Sequence, residues 1–480
     1  MDVLLSKKRI GSNLFYLLVG GTVATGFEFI IAIWLARRLT DEGFGLWSFV
    51  ESVVINFAIV VDAGLSIYGV REIAQQKERL SEFVVNILAI RSLLGLLMYV
   101  LFGVLLFLLP MTTEMRILLL GGALWVFPQA VNPEFVFQGL ERMAGVAIWR
   151  ILSFFFYLVF VLSLVQQRTD LWSVPYFKAA AALLTAVVIW PNIRRYLVFP
   201  LSRQLAAEKW PSYLQVSLVM AASILVVKVF FTFDTLMLGL MGAPRAVGWY
   251  NAAYKIVLQF VGLVMIVQFV FGPVLARLKD QPEELNRTMQ QYNVLSILMA
   301  GIFCGVIFTS SPILIRWLYG SAYSHSVAAL RLLTISLYFV FVQKVFMTPL
   351  MYGGYERLYL LIVIVGTAVN IALNSFLIPL FSYTGAAVAT IISNAMITLL
   401  SMFYYGRHFQ IRALLGPLLG STLIFAVSLG IAALISLGPL LSMCLFIALF
   451  CAAMMKFYTK TIEDLFHFMF GLFEHPTGRE

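Results

Sequence analysis

The sequence predicts an all-α polytopic membrane protein. About fourteen transmembrane helices form two six-helix lobes related by pseudo-two-fold symmetry, and two further helices follow at the C-terminus. Three observations predict this. Hydrophobic residues make up 61% of the 480 and charged residues 12%, where soluble domains run at about 45–50% and about 25%. Many apolar runs are nearly free of charge and have the length, about 20 residues, that crosses roughly 30 Å of hydrocarbon. The longest polar connection, 191–211, divides the chain into halves of six spans each. Strands of a membrane barrel would instead show short alternating segments.

Taken in order, the first apolar run follows Lys7, Lys8 and Arg9 and so begins like a signal peptide. It continues from Leu14 to Ala36, too long for a signal core, and Arg37-Arg38 follows where a cleavage site would need small residues. It is the first span. The next five fall near 44–67, 83–109, 117–138, 146–166 and 171–191. The second set of six falls near 213–240, 247–275, 291–311, 328–352, 358–381 and 385–405. The last two, 412–436 and 438–458, carry no ionisable residue between Ala413 and Met455 and read as a packing or lipid-facing pair. The aromatic-rich tail, Thr461–Phe473, is expected at the membrane interface. The domains are therefore 1–205, 206–408 and 409–480.

An internal similarity supports the division. The turn Glu42-Gly43-Phe44-Gly45-Leu46-Trp47 resembles Arg245-Ala246-Val247-Gly248-Trp249-Tyr250, with Gly45 and Gly248 separated by 203 positions. Six is an even number of crossings, so both lobes enter the membrane in the same sense, as parallel repeats do. With the N-terminus inside, the cytoplasmic side holds 21 Lys and Arg and the outside 7, which places both termini in the cytoplasm of a cell-membrane protein. Eight of nine tryptophans, all but Trp125, lie near span ends, as an aromatic belt requires. The net charge of +10 suits loops facing anionic lipid, and nucleic acid is not an expected partner. Cys304, Cys444 and Cys451 lie in apolar runs, without disulfide or metal-ligand spacing.

Ten ionisable groups fall inside the spans: Glu28, Glu51, Asp62, Arg91, Glu134, Lys178, Lys228, Asp234, Lys255 and Lys344. Facing all of them to lipid would cost on the order of 25 kcal/mol, at roughly 2.5–3.5 kcal/mol each. That exceeds a typical net folding stability of about 5–15 kcal/mol. Most must face water or pair with one another. Ser48, Glu51, Ala58 and Asp62 share a helix face, as do Lys228, Thr232 and Thr235, and Lys255, Gln259 and Gly262. Lys228 and Lys255, deep in their spans, are the leading candidates to bind an anionic substrate. Arg91, Lys178 and Lys344 are further candidates. Glu28, Glu51, Asp234 and Gln259 are candidates for a polar cavity lining. Glu28 and Asp234 either carry a coupling proton or cation or neutralise a lysine. For Asp62, Glu134 and Arg91, towards the cytoplasmic ends, snorkelling or a structural ion pair is the plainer reading.

Leu35–Trp47 and Asp62–Ala74, with Tyr383–Ser393 later, resemble signatures of the polysaccharide transporter family. These are Wzx-type oligosaccharide flippases of the MOP superfamily, relatives of MATE exporters. The resemblance implies a MOP/MATE-like fold in which two lobes enclose a central cationic cavity that opens alternately to each side. It implies a polyprenyl-pyrophosphate-linked oligosaccharide as cargo, flipped across the cytoplasmic membrane for surface polysaccharide synthesis. The first span lacks the bending proline and the aspartate of many MATE exporters and has Glu28 instead. The alternative is a MATE-type cation-coupled antiporter of drugs or other small molecules, with H+ or Na+ as the coupling ion. A membrane-embedded polymerase or glycosyltransferase fits less well, because every external loop is short. No phosphate-binding G-x-x-x-x-G-K-[ST] loop and no metal or nucleophile constellation is present. The expectation is a non-enzyme without cofactors that acts in the bilayer, with the oligomeric state left open and a monomer favoured.

Overall fold

A computed structural model of the chain describes residues 2–435 and 438–473. These residues are almost entirely helical, and no strand occurs among them. Among them, eleven helices are long and apolar enough to cross a membrane, or twelve if the bent pair Leu201–Ala222 and Ile224–Leu240 is one span. Two of the eleven, Phe15–Asp62 and Glu356–His408, run to 48 and 53 residues. At about 1.5 Å per residue either would be over twice as long as a bilayer core is thick. Each is broken at a single left-handed residue, Thr40 (φ 66°) and Ser382 (φ 53°). Both breaks fall in connections expected between consecutive spans. The chain is thus a multi-pass, all-helical membrane protein.

The helices divide into two compact units, Met1–Asn251 and Ala252–Glu480. In the first, α1 (Asp2–Asp62) packs on α7 (Met143–Leu164) and α9 (Trp210–Leu240), and α7 packs on α8 (Val174–Arg194). The short helix α2 (Leu65–Gln75) lies against α9 and α6 (Glu134–Gly139). The span expected near 117–138 is discontinuous, made of α4 (Thr113–Ala123), α5 (Val126–Ala130) and α6, with α3 (Leu80–Leu108) alongside. The unit boundary falls inside α10 (Pro244–Arg277), 46 residues beyond the end of the lobe expected at 205. Packing groups α9 with α1 and α2, whereas the sequence repeat groups it with the helices of the second half.

The two turns that resemble one another in sequence meet within the first unit. A methyl group on Gly45 would lie 2.8 Å from the Gly248 nitrogen, and one on Gly248 would lie 3.0 Å from the Asp41 carbonyl carbon. The contact is reciprocal, with positions 41 and 45 against 244 and 248. Both helices therefore start backbone against backbone, which only glycine permits. The indole N–H of Trp249 donates to Asp41 at 3.0 Å and ties the same turns together.

In the second unit α11 (Pro282–Leu318) is central, packing on α12 (Ser326–Tyr352), α14 (Arg412–Leu434) and α15 (Pro439–Phe473). Helix α12 packs in turn on α13 (Glu356–His408). Phe446 and Phe450 of α15 seat their rings on Gly301 and Gly305 of α11, where helices approach through missing side chains. The last two helices are thus keyed to α11. Helix α15 bends at Tyr458 and continues to Phe473.

Candidate functional site: charged groups inside the membrane helices

Five of the first unit's intramembrane charges, Glu51, Asp62, Arg91, Glu134 and Lys178, join three ion pairs around a broken helix. The Lys178 ammonium of α8 lies 2.5 Å from Glu51 of α1, and the side chains of the pair are 14% and 13% exposed. The same ammonium sits over the rings of Trp125 (5.0 Å) and Trp47 (5.7 Å). Two aromatic faces and one carboxylate offset the cost of keeping that charge out of water.

Arg91 of α3 is buried, with Asp62 at 3.4 Å. Its guanidinium also donates to the backbone carbonyls of Asn132 (3.3 Å) and Gln129. Those carbonyls lie where α5 ends before α6 begins, and the Gln129 carbonyl also accepts the Asn132 backbone N–H at 3.2 Å. A cation at that end adds a donor to these carbonyls and meets the negative end of the helix dipole. Glu134 opens α6 and receives Arg150 of α7 in a forked pair, with nitrogen–oxygen distances of 2.7–3.2 Å. The discontinuous span is thus held open from two sides by arginine.

Between these pairs lies a cavity of about 140 Å³ lined by Gln129, Asn132, Glu134, Arg150, Tyr157 and Lys178, among others. The Tyr157 hydroxyl and the Ser153 Oγ are buried there without a hydrogen-bond partner among the described residues. Arg150, Ser153 and Tyr157 follow a three-and-four spacing on α7 and form one polar stripe. That stripe is visible in the sequence, but position along the chain marks Arg150 only as a cytoplasmic-side charge. The involvement of Trp47 and Trp125 has no local signal, since it depends on which helices meet.

The remaining candidates lie on α1, α9, α10 and α12. Glu28 is half-buried on α1. Asp234 is buried and accepts a hydrogen bond from the Tyr250 hydroxyl. Lys228, six residues earlier on α9, is exposed, and its ammonium makes no hydrogen bond or ion pair among the described residues. One turn on, Thr232 receives a 2.9 Å hydrogen bond from Asn56. In the second unit Lys255 and Gln259 are half-buried on α10, and the Gln259 amide donates to the Lys255 carbonyl at 3.3 Å. Lys344 on α12 is half-buried, and among the described residues its ammonium has no carboxylate partner. A polar seam surrounds α13, where Asn374 donates to Asn370 (3.0 Å) and Asn394 to Ser336 (2.8 Å). The structure therefore sorts the five expected cations. Arg91 and Lys178 are engaged by acids, Lys228 and Lys344 carry no acid among the described residues, and Lys255 has contacts of its own. Among the described residues no group of three or more His, Cys, Asp or Glu is placed to hold a metal ion.

Comparison with known proteins places these features in a family. The sequence matches the family described as "Polysaccharide biosynthesis protein" over residues 10–279. A curated relative, the "Putative O-antigen transporter" of Escherichia coli (strain K12), is 20% identical over 417 residues, covering 83% of this chain and 97% of the relative. Among solved structures the fold is similar to "Lipid II flippase MurJ, inward closed conformation", with a TM-score of 0.75 and 14% identity. That match covers 92% of this chain and 99% of the other. It is also similar to an inward-facing multidrug resistance MATE family transporter of the MOP superfamily, with a TM-score of 0.63, 14% identity, and 80% and 95% of the two chains covered. The chain belongs to the polysaccharide biosynthesis protein family and has the fold of MOP-superfamily transporters.

Proposed function

We propose that the chain is a flippase that moves a polyprenyl-pyrophosphate-linked oligosaccharide across the cytoplasmic membrane for surface polysaccharide synthesis, and that it is not an enzyme. The family match over residues 10–279 carries this reading, and the name of the E. coli relative agrees with it. Counting each of the two broken long helices as two passes brings the twelve spans to fourteen. The bias of Lys and Arg supports both termini on the cytoplasmic side. Transport proceeds by alternating access of a cation-lined cavity, with the bilayer and the lipid-linked sugar as partners and H+ or Na+ as the candidate coupling ion.

The chemistry of the cargo divides the work. A pyrophosphate needs cations within the membrane that are not already neutralised, because each engaged cation must first give up its acid. Lys228 and Lys344 meet that condition best, and Lys255 is the remaining candidate. Arg91 and Lys178 would have to leave Asp62 and Glu51, so their first task is to hold the broken span in shape. A MATE-type small-molecule antiporter is the second reading, supported by the fold alone.

The deciding test is translocation of a fluorescent lipid-linked oligosaccharide in proteoliposomes. Lys228→Ala, Lys344→Ala and Lys255→Ala should each abolish flipping while the protein remains folded and reconstituted. Undiminished flipping by all three variants would remove the anion-site proposal. Absence of lipid-linked sugar transport by the wild type, with export of small cations instead, would favour the antiporter.

A further inference from the structure

Many basic residues of the first unit are paired with acids. Arg71, Arg79, Arg91, Arg150, Arg168, Lys178 and Lys209 each lie within salt-bridge distance of a carboxylate. Arg142 and Arg195 do not, among the described residues, and both line the same pocket of about 500 Å³. The pocket lies where the end of α8 meets the turn between α6 and α7 and the first turns of α1. One acid, Glu141, is on its wall, so two guanidiniums face a single carboxylate and the pocket is net positive.

The turn is built rather than loose. Glu141 adopts φ 56°, its carbonyl accepts the Asn13 amide at 2.9 Å, and the Arg142 nitrogen returns to the Phe137 carbonyl at 2.8 Å. This holds Arg142 against Tyr196, whose hydroxyl accepts one of its N–H groups and whose ring lies 5.5 Å away. The other guanidinium donors stay available, as does the Asn192 amide on the same wall. The rim is apolar on one side, where Ile148 is 52% exposed. Close by on α8, Trp190 is 43% exposed, as befits a residue at a membrane interface.

We propose that this pocket binds the phosphate group of an anionic membrane lipid. Two guanidiniums without a carboxylate partner among the described residues suit phosphate oxygens, which they can take in forked pairs. An exposed apolar side suits a ligand whose phosphate carries hydrocarbon. A free anion would gain nothing from that wall. The site is separate from the intramembrane charges discussed above and does not depend on what is transported.

The test is native mass spectrometry of the full chain in detergent, titrated with phosphatidylglycerol, with phosphatidylcholine, and with inorganic phosphate as competitor. Arg142→Ala/Arg195→Ala should weaken retention of one phosphatidylglycerol about tenfold or more, as loss of charge-assisted contacts implies. Arg203→Ala, a single charge removed outside the pocket, should retain it, and phosphatidylcholine should bind weakly to every form. An unchanged double variant, or an equal loss in Arg203→Ala, would overturn the proposal. Displacement of the lipid by inorganic phosphate at matched concentration would make the ligand a soluble anion and overturn it as well. Should the double variant misfold, Arg195→Gln, an exposed side chain with no partner among the described residues, gives the same readout. Because binding is read without transport, its failure and the failure of the flippase reading are distinguishable.

Discussion

Replacing Gly45 or Gly248 by alanine tests the contact on which the first unit closes. A new methyl group on Gly45 would sit 2.8 Å from both the Gly248 nitrogen and the Pro244 carbonyl carbon, and nearer still to the Pro244 oxygen. Ordinary contact needs about 3.5 Å or more, so the backbones must part by the order of an ångström. No rotamer relieves this, because every obstructing atom is main chain. Overpacking costs about 1–3 kcal/mol where side chains can yield; here the upper end, about 3 kcal/mol, is expected. The parting also strains the Trp249–Asp41 hydrogen bond. Gly21 and Gly262 provide the control, since a methyl group there meets nothing within 4 Å. Alanine at those positions should be neutral or gain up to about 1 kcal/mol in helix propensity. The assay is thermal unfolding in detergent followed by intrinsic tryptophan fluorescence, with Gly45→Ala, Gly248→Ala and the double variant compared against the controls. Since both substitutions part the same surfaces, the double variant should cost clearly less than the sum of the singles. If Gly45→Ala melts with Gly21→Ala, or if the two costs add, the backbone contact is not what holds these turns.

Three more outcomes are expected from the geometry. Glu51→Gln leaves the Lys178 ammonium without its acid and should destabilise by about 3–5 kcal/mol, whereas Glu51→Gln/Lys178→Met should recover most of that; chemical unfolding of the three forms measures it. Arg91→Ala removes a charged donor from the Gln129 and Asn132 carbonyls and leaves Asp62 without its cation, so cysteine labelling within 124–134 should rise sharply, while Arg71→Ala should leave it unchanged. Gly305→Leu fills the seat of the Phe446 ring, where even a methyl group would lie 2.5 Å from its Cδ1. It should loosen α14 and α15 by about 1–3 kcal/mol, seen as faster proteolysis after residue 408 with α11 and α12 still protected.

Much of the fold was legible because the bilayer simplifies the code. A run of about 20 apolar residues has few alternatives in lipid, where every backbone group must be satisfied internally. The breaks at Thr40 and Ser382 fell inside expected connections for the same reason. The family resemblance, read from Leu35–Trp47 and Asp62–Ala74, agrees with the match over 10–279. The discontinuity of the span near 117–138 was not legible from hydropathy, although Pro128 and Pro133 stand within it. Apolar length hides a helix that stops and restarts.

The sequence by itself determined how many charges the membrane must house, and the spacing along each helix said which of them share a face. Which acid meets which base was decided only in three dimensions. Glu51 and Lys178 lie 127 positions apart, and Arg91 reaches carbonyls 38 and 41 positions away. A buried charge requires a partner, but hydropathy ranks spans without ordering them around one another. The choice of partner rests on which helices pack side by side, and that packing is set by small residues such as Gly45 and Gly248, whose meaning appears only when the other backbone is present.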